Sequence, residues 1–169
     1  MERKESARWL CRYSLAKYRA DIGRYRGREA EFYRIFRPYE VIAGEENCLL
    51  NSGINAIWNG ICGGSFTAFN NTYATIGVGD SNAAAVATQT DLQAATNKTY
   101  KGMDSGYPTY GSSQKATFKA SFGASDANYT WNEWVVKNSS SGICLNRKVD
   151  SLGTKSSGTW TLQVDLTLA

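Results

Sequence analysis

The chain has 169 residues, a formal net charge of +4 and no histidine. That length fits one domain with a sizeable core. The missing imidazole excludes Ser-His-Asp and Cys-His catalysis and the common His-ligated zinc sites, leaving acid–base work to carboxylates, Lys or Tyr.

The charge is unevenly placed. Residues 1–39 carry 11 Lys/Arg against 5 Asp/Glu, and residues 40–169 carry 8 against 10. The pattern reads as a basic N-terminal arm, 1–39, followed by a nearly neutral body, 40–169, so an acidic partner is expected at the N-terminus. In the arm, Trp9, Tyr13, Tyr18, Tyr25, Phe32, Tyr33, Phe36 and Tyr39 interleave with Arg8, Arg12, Arg19, Arg24, Arg26, Arg28, Arg34 and Arg37. Ala7 to Ala20 admits a helix with a poor apolar stripe, and Glu31 to Tyr39 equally admits extended chain. Three uses fit such a segment. It can stack on bases and pair with phosphates, form a protein–protein interface, or pack on its own body. The interface is the favoured reading. The partner-binding candidates are Trp9, Arg12, Tyr13, Tyr18, Arg24, Tyr25, Arg28, Phe32, Tyr33, Arg34, Phe36 and Arg37.

The N-terminus lacks the continuous apolar core of a secretory signal, and no apolar run approaches the roughly 20 residues of a membrane span. Cys11, Cys48, Cys62 and Cys144 are scattered with no C-x-x-C pair, so free thiols are expected and a zinc site is not. Leu50, Ile54, Ile57, Trp58 and Ile61 follow a 3.6-residue repeat and predict a short helix near 50–62. Asn51 or Ser52 is the expected cap and Gly63-Gly64 the stop. Its apolar stripe, with Cys48 and Cys62 at its flanks, is expected to be core.

From Thr72 the period changes to two. Ala74, Ile76 and Val78 alternate with Tyr73, Thr75 and Gly77, and Ala116, Phe118, Ala120 and Phe122 with Thr117, Lys119 and Ser121. Tyr129 to Val136 is a strand that Glu133 interrupts, which predicts a bulge or an edge. Ile143, Leu145 and Val149 mark another, broken by Arg147. Trp160, Leu162, Val164, Leu166 and Leu168 define a half-buried last strand. Turn clusters separate these runs, and the whole predicts a mainly β antiparallel sandwich with one short helix and an extended basic N-terminal arm.

Chemical motifs are sparse. Gly77-Val78-Gly79-Asp80-Ser81 is an incomplete phosphate loop, better explained as a strand running into a turn. Asp80, Asp91 and Asp104 lack calcium-loop spacing. Glu133 and Asp150 could make a glycosidase pair only if brought within about 5–10 Å. Pairing of Glu133 with Arg147 or Lys148 across neighbouring strands is the stronger expectation. Surface tyrosines, Trp131 and the Asn/Ser-rich turns could also bind sugars. No catalytic residue, metal ligand or cofactor is expected.

Several motifs occur in a telling order: Asn51-Ser52-Gly53-Ile54-Asn55, Tyr73 to Ser81, and Ala87-Thr88-Gln89-Thr90-Asp91-Leu92. Ala116-Thr117-Phe118, Phe122-Gly123, Asn128 to Glu133, Leu145 to Val149 and Lys155 to Leu162 follow. In this order, residues 48–169 resemble small β-sandwich virion structural proteins of tailed bacteriophages, the tail-collar-fibre-like and capsid decoration group. The resemblance implies a β-sandwich, location in a virion assembled in the host cytoplasm, and a homo-oligomer such as a trimer. It carries no catalytic residues and does not reach residues 1–40. The last strand runs to Ala169, with no fibre shaft after it. The expected function is therefore a non-enzymatic capsid decoration or cement protein docked through its arm to the major capsid protein. A tail, collar or baseplate subunit bound to tail proteins and a host-glycan-binding module are the alternatives; nucleic acid and membrane are not expected partners.

Overall fold

The computed structural model describes residues 8–46 and 48–168, Cys48 by its backbone alone. Among these residues the strands are β1 (Trp9–Tyr18), β2 (Glu40–Glu45), β3 (Cys48–Leu49), β4 (Ala74–Gly79), β5 (Lys98–Gly102), β6 (Thr109–Ser112), β7 (Lys115–Phe122), β8 (Thr130–Asn138), β9 (Cys144–Thr154) and β10 (Thr159–Leu168). Two helices, α1 (Glu29–Ile35) and α2 (Asn51–Ile61), and a 3-10 turn at Ile22–Tyr25 complete the chain. The strands form two five-stranded sheets, ordered β2-β1-β10-β7-β6 and β3-β9-β8-β4-β5. Their pairings are antiparallel. The expected sandwich is therefore observed.

Alternation explains the core. On β10, Trp160, Leu162, Val164 and Leu166 point between the sheets while Gln163, Asp165 and Thr167 are partly exposed. Leu168, the fifth member of the stripe, is exposed. Trp131 is fully buried and meets Phe122 and Trp160 edge-on, with ring centroids 4.8 and 4.9 Å away. Its indole N–H donates to the Ala127 carbonyl at 2.9 Å. A buried Trp thus brings both apolar area and a satisfied donor to the centre of the sandwich.

The N-terminal segment is not an arm. β1 lies between β2 and β10, in continuous register from Trp9 opposite Leu168 to Tyr18 opposite Thr159. The stretch that admitted a helix forms β1 over Trp9–Tyr18, and the stretch that equally admitted extended chain at 31–39 begins as α1. The cause is a period of two that charge conceals. Cys11, Tyr13, Leu15 and Lys17 all face inward and are buried. Lys17 fits because its ammonium lies 4.3 Å from the Trp160 ring centroid and 2.9 Å from Glu40, a cation–π contact backed by an ion pair. β1 also covers the flank of β10, whose backbone would otherwise be an open sheet edge. The arm–body boundary at 39/40 thus falls within a single sheet. Residues 1–7 of the expected arm lie outside the described residues.

The expected interruption at Glu133 is a bulge: the β8–β9 register shifts between Trp131 and Glu133. It is not an edge, since β8 runs between β9 and β4.

Candidate interaction surface

Burial separates the interleaved aromatics and arginines. Tyr13, Tyr18 and Phe32 are buried, while Trp9, Tyr25, Tyr33 and Phe36 are half-buried. Tyr18, Ile22 and Phe32 form a small cluster on the outer face of the first sheet, joined by Tyr25, Tyr33 and Phe36. The Phe32 ring lies 5.1 Å from Tyr18 and 4.9 Å from Phe36. Tyr33 is fastened as well: its hydroxyl donates to Asp104 at 2.6 Å and meets Ser121 at 2.6 Å. The Lys119 ammonium sits 3.6 Å from the Tyr33 ring centroid. Tyr13 donates to Asp150, and burial first and this contact second push its phenol above the ordinary range. The rings therefore pack on the chain's own body. Arg12, Arg24, Arg28, Arg34 and Arg37 remain exposed. Arg12 pairs with Glu45 at 2.8 Å and Arg28 with Glu31 at 3.1 Å. Of the proposed anchors, the guanidiniums are exposed while the rings are buried or half-buried.

Four of the sequence motifs, at 73–81, 87–92, 128–133 and 145–149, meet at one buried anchor. Glu133 and Arg147 are fully buried and 2.7 Å apart, the pairing expected from sequence. Glu133 also accepts from the backbone N–H groups of Gln93 at 3.0 Å and Ala94 at 2.7 Å. Arg147 donates to Gln89 Oε1 at 3.0 Å and to the Ala83 carbonyl at 2.8 Å. Together they tie the segment between β4 and β5 to the sheet. The nearby glycines make room for this tie. A Cβ on Gly79 would sit 2.5 Å from Glu133 Oε1, and one on Gly77 would sit 2.6 Å from the Tyr100 ring. The phosphate-loop-like run is therefore a strand end packed against protein groups.

Asp91 anchors the same segment. It accepts from Lys137 and from the Tyr100 hydroxyl, each at 2.5 Å. Burial pushes its carboxyl up, but the Lys137, Tyr100 and Leu92 hydrogen bonds outweigh this and hold it below the usual range. Both carboxylates of the candidate glycosidase pair thus have protein partners, Glu133 with Arg147 and Asp150 with Tyr13. Among the described residues no group of three or more His, Cys, Asp or Glu is placed to hold a metal.

α2 departs from expectation. The helix docks on β9 through its small residues: Gly53 and Ala56 are buried. A Cβ on Gly53 would overlap the Leu145 carbonyl oxygen. Backbone so close admits only the small-residue side, and this turns the larger stripe outward. Trp58 is 60% exposed, Ile61 69% and Ile54 36%. Of the stripe expected in the core, Leu50 is buried as expected and Ile57 half-buried, whereas Ile54, Trp58 and Ile61 form a surface. The expected cap also differs. Leu50 occupies the cap position without a side-chain bond, and the Ser52 hydroxyl donates instead to the Cys144 carbonyl at 2.9 Å. Gly63, at φ +73°, follows the helix end as expected. Cys62 is exposed rather than core; the Cys48 side chain lies outside the described residues.

Beside α2 opens an apolar cleft of about 540 Å³, lined by Trp9, Ile57, Phe118, Leu145, Leu166 and Leu168 among others. From Asn47 to Gly79 the chain has no charged residue. Interface cores are depleted in charge and rich in aromatics, whereas an ordinary solvated helix face is charged. No signal for outward orientation lies in the stripe itself; the run without charge and the small residues Gly53 and Ala56 opposite Trp58 carried it. No family model, curated protein or solved structure matches the chain.

Proposed function

We propose that this chain is a non-enzymatic structural subunit of a bacteriophage virion, a capsid decoration protein in the first instance, and that it assembles through the α2 face. The observation that carries the assembly role is the uncharged stripe of Ile54, Trp58 and Ile61, held outward on a helix that is itself firmly docked. Large exposed apolar patches on a folded protein mark interaction sites. The ordered motifs described above support the virion setting, and no catalytic step is assigned to Glu133 or Asp150. The role of contacting other subunits, expected of the aromatic arm, passes to α2, because the rings are buried or half-buried on the chain's own body.

Quantitative mass spectrometry of gradient-purified virions tests the setting. A fixed copy number matching the capsid lattice is the expected result. A low copy number confined to tails would move the subunit to the tail, collar or baseplate. Absence from particles, together with binding of the purified protein on a glycan array, would replace the reading with a glycan-binding module.

A further inference from the structure

We propose that the α2 face is a self-association surface, closed by a second copy of the chain in an isologous, two-fold contact. This rests on the reading of α2 as the assembly face and names its occupant.

The face contains both halves of a complementary fit. Trp58 and Ile61 form a ridge exposed by more than half of their area, and the apolar cleft lies alongside with Ile57 in its wall. Ridge and cleft share one helix, so a two-fold rotation sets the Trp58 of each copy towards the cleft of the other. A self-complementary patch of this kind generates a closed dimer. The cleft, of about 540 Å³, is in the size range of sites that bind small molecules.

Area agrees. Ile54, Trp58, Ile61, Phe66 and Leu168 are all exposed large hydrophobics, and an aromatic side chain alone brings about 150–250 Å² when buried. With the exposed Asn55 and Asn59 as polar rim, these residues supply a substantial share of the ~800 Å² that each partner gives to a standard interface. Charge agrees too. The helix carries none, and Lys115 in the cleft lining is paired with Asp165 at 3.4 Å.

Sedimentation velocity of the full chain, from about 1 to about 100 μM, tests this across the range of ordinary interface affinities. The expected species has twice the 18.6 kDa chain mass. Trp58→Ser and Ile61→Ser should each raise the dissociation constant by about 30-fold or more, as loss of a hot-spot anchor does. Circular dichroism of the variants should match the wild type, because both side chains face solvent. A monomer at every concentration, a trimer or larger ring, or a dimer unaffected by both substitutions would overturn the proposal. The assembly reading fails separately. A monomeric wild type whose Trp58→Ser variant is lost from virions overturns self-association and keeps the assembly face. A stable dimer missing from virions does the reverse.

Discussion

Replacing Glu133 by Gln should be among the most destructive conservative substitutions in the chain. The carboxylate meets three donors: Arg147 Nε at 2.7 Å and Gln93 N–H at 3.0 Å on one oxygen, and Ala94 N–H at 2.7 Å on the other. An amide offers one oxygen and turns an NH2 group against a donor. It also leaves the fully buried Arg147 guanidinium with only the neutral acceptors Gln89 and Ala83. Removing one partner of a buried ion pair costs about 3–5 kcal/mol. For a chain of this size that lowers Tm by about 6–20 °C. Urea denaturation gives the free energy, and hydrogen exchange locates the loss, which should fall first on the amides of Gln93 and Ala94. Adding Arg147→Met removes the stranded charge and should recover part of the loss, so the two substitutions should not add. A Glu133→Gln cost below about 1 kcal/mol, with exchange over 89–94 unchanged, would refute the anchor.

Three further outcomes follow from the packing. Gly53→Ala would stabilise an isolated helix by about 1 kcal/mol, but here its Cβ would overlap the Leu145 carbonyl. Net destabilisation by about 1–3 kcal/mol is expected in thermal melts. Asp104 is buried, and that burial first of all pushes its carboxyl above 3.8; Tyr33, Ser121 and Lys119 pull it partly back and Glu29 pushes it up again. A raised folded value favours the fold while the group is protonated. That stabilisation is complete below the unfolded value and is lost as pH rises through the folded one. Asp104→Asn, fixed neutral, should therefore gain on the wild type in urea titrations as pH rises through the raised folded value; a constant difference would contradict this. Cys11 and Cys144 are buried, which pushes both thiols up to about 12. Alkylation of native protein followed by peptide mapping should modify exposed Cys62 and spare these two until the chain unfolds.

Legibility in the sequence followed how cleanly each element kept its period. β10 alternates apolar and polar residues with little interruption and could be read directly, as could the pairing of Glu133 with Arg147 on neighbouring strands. β1 was hidden because its fourth inward position is Lys17, tolerated only through Trp160 and Glu40, and because Tyr18 packs outward against Phe32. β5 and β6 are edge strands with exposed or half-exposed side chains, so no apolar alternation announces them. α2 was visible as an amphipathic helix, but periodicity names a stripe and not the direction it faces. Direction is set by the close approach to Leu145, where Gly53 leaves no room for a Cβ. The same reasoning separates the N-terminal rings from their arginines. Sequence shows the interleaving; only packing shows that the rings turn inward.

The most direct test of α2, rather than the N-terminal segment, as the assembly face is hydrogen exchange of the full chain at low and high protein concentration. The account predicts that peptides spanning 51–61 gain protection as concentration rises, while those spanning 28–37 stay unchanged. Protection gained over 28–37, with 51–61 unaffected, would contradict it and return docking to the basic N-terminal segment.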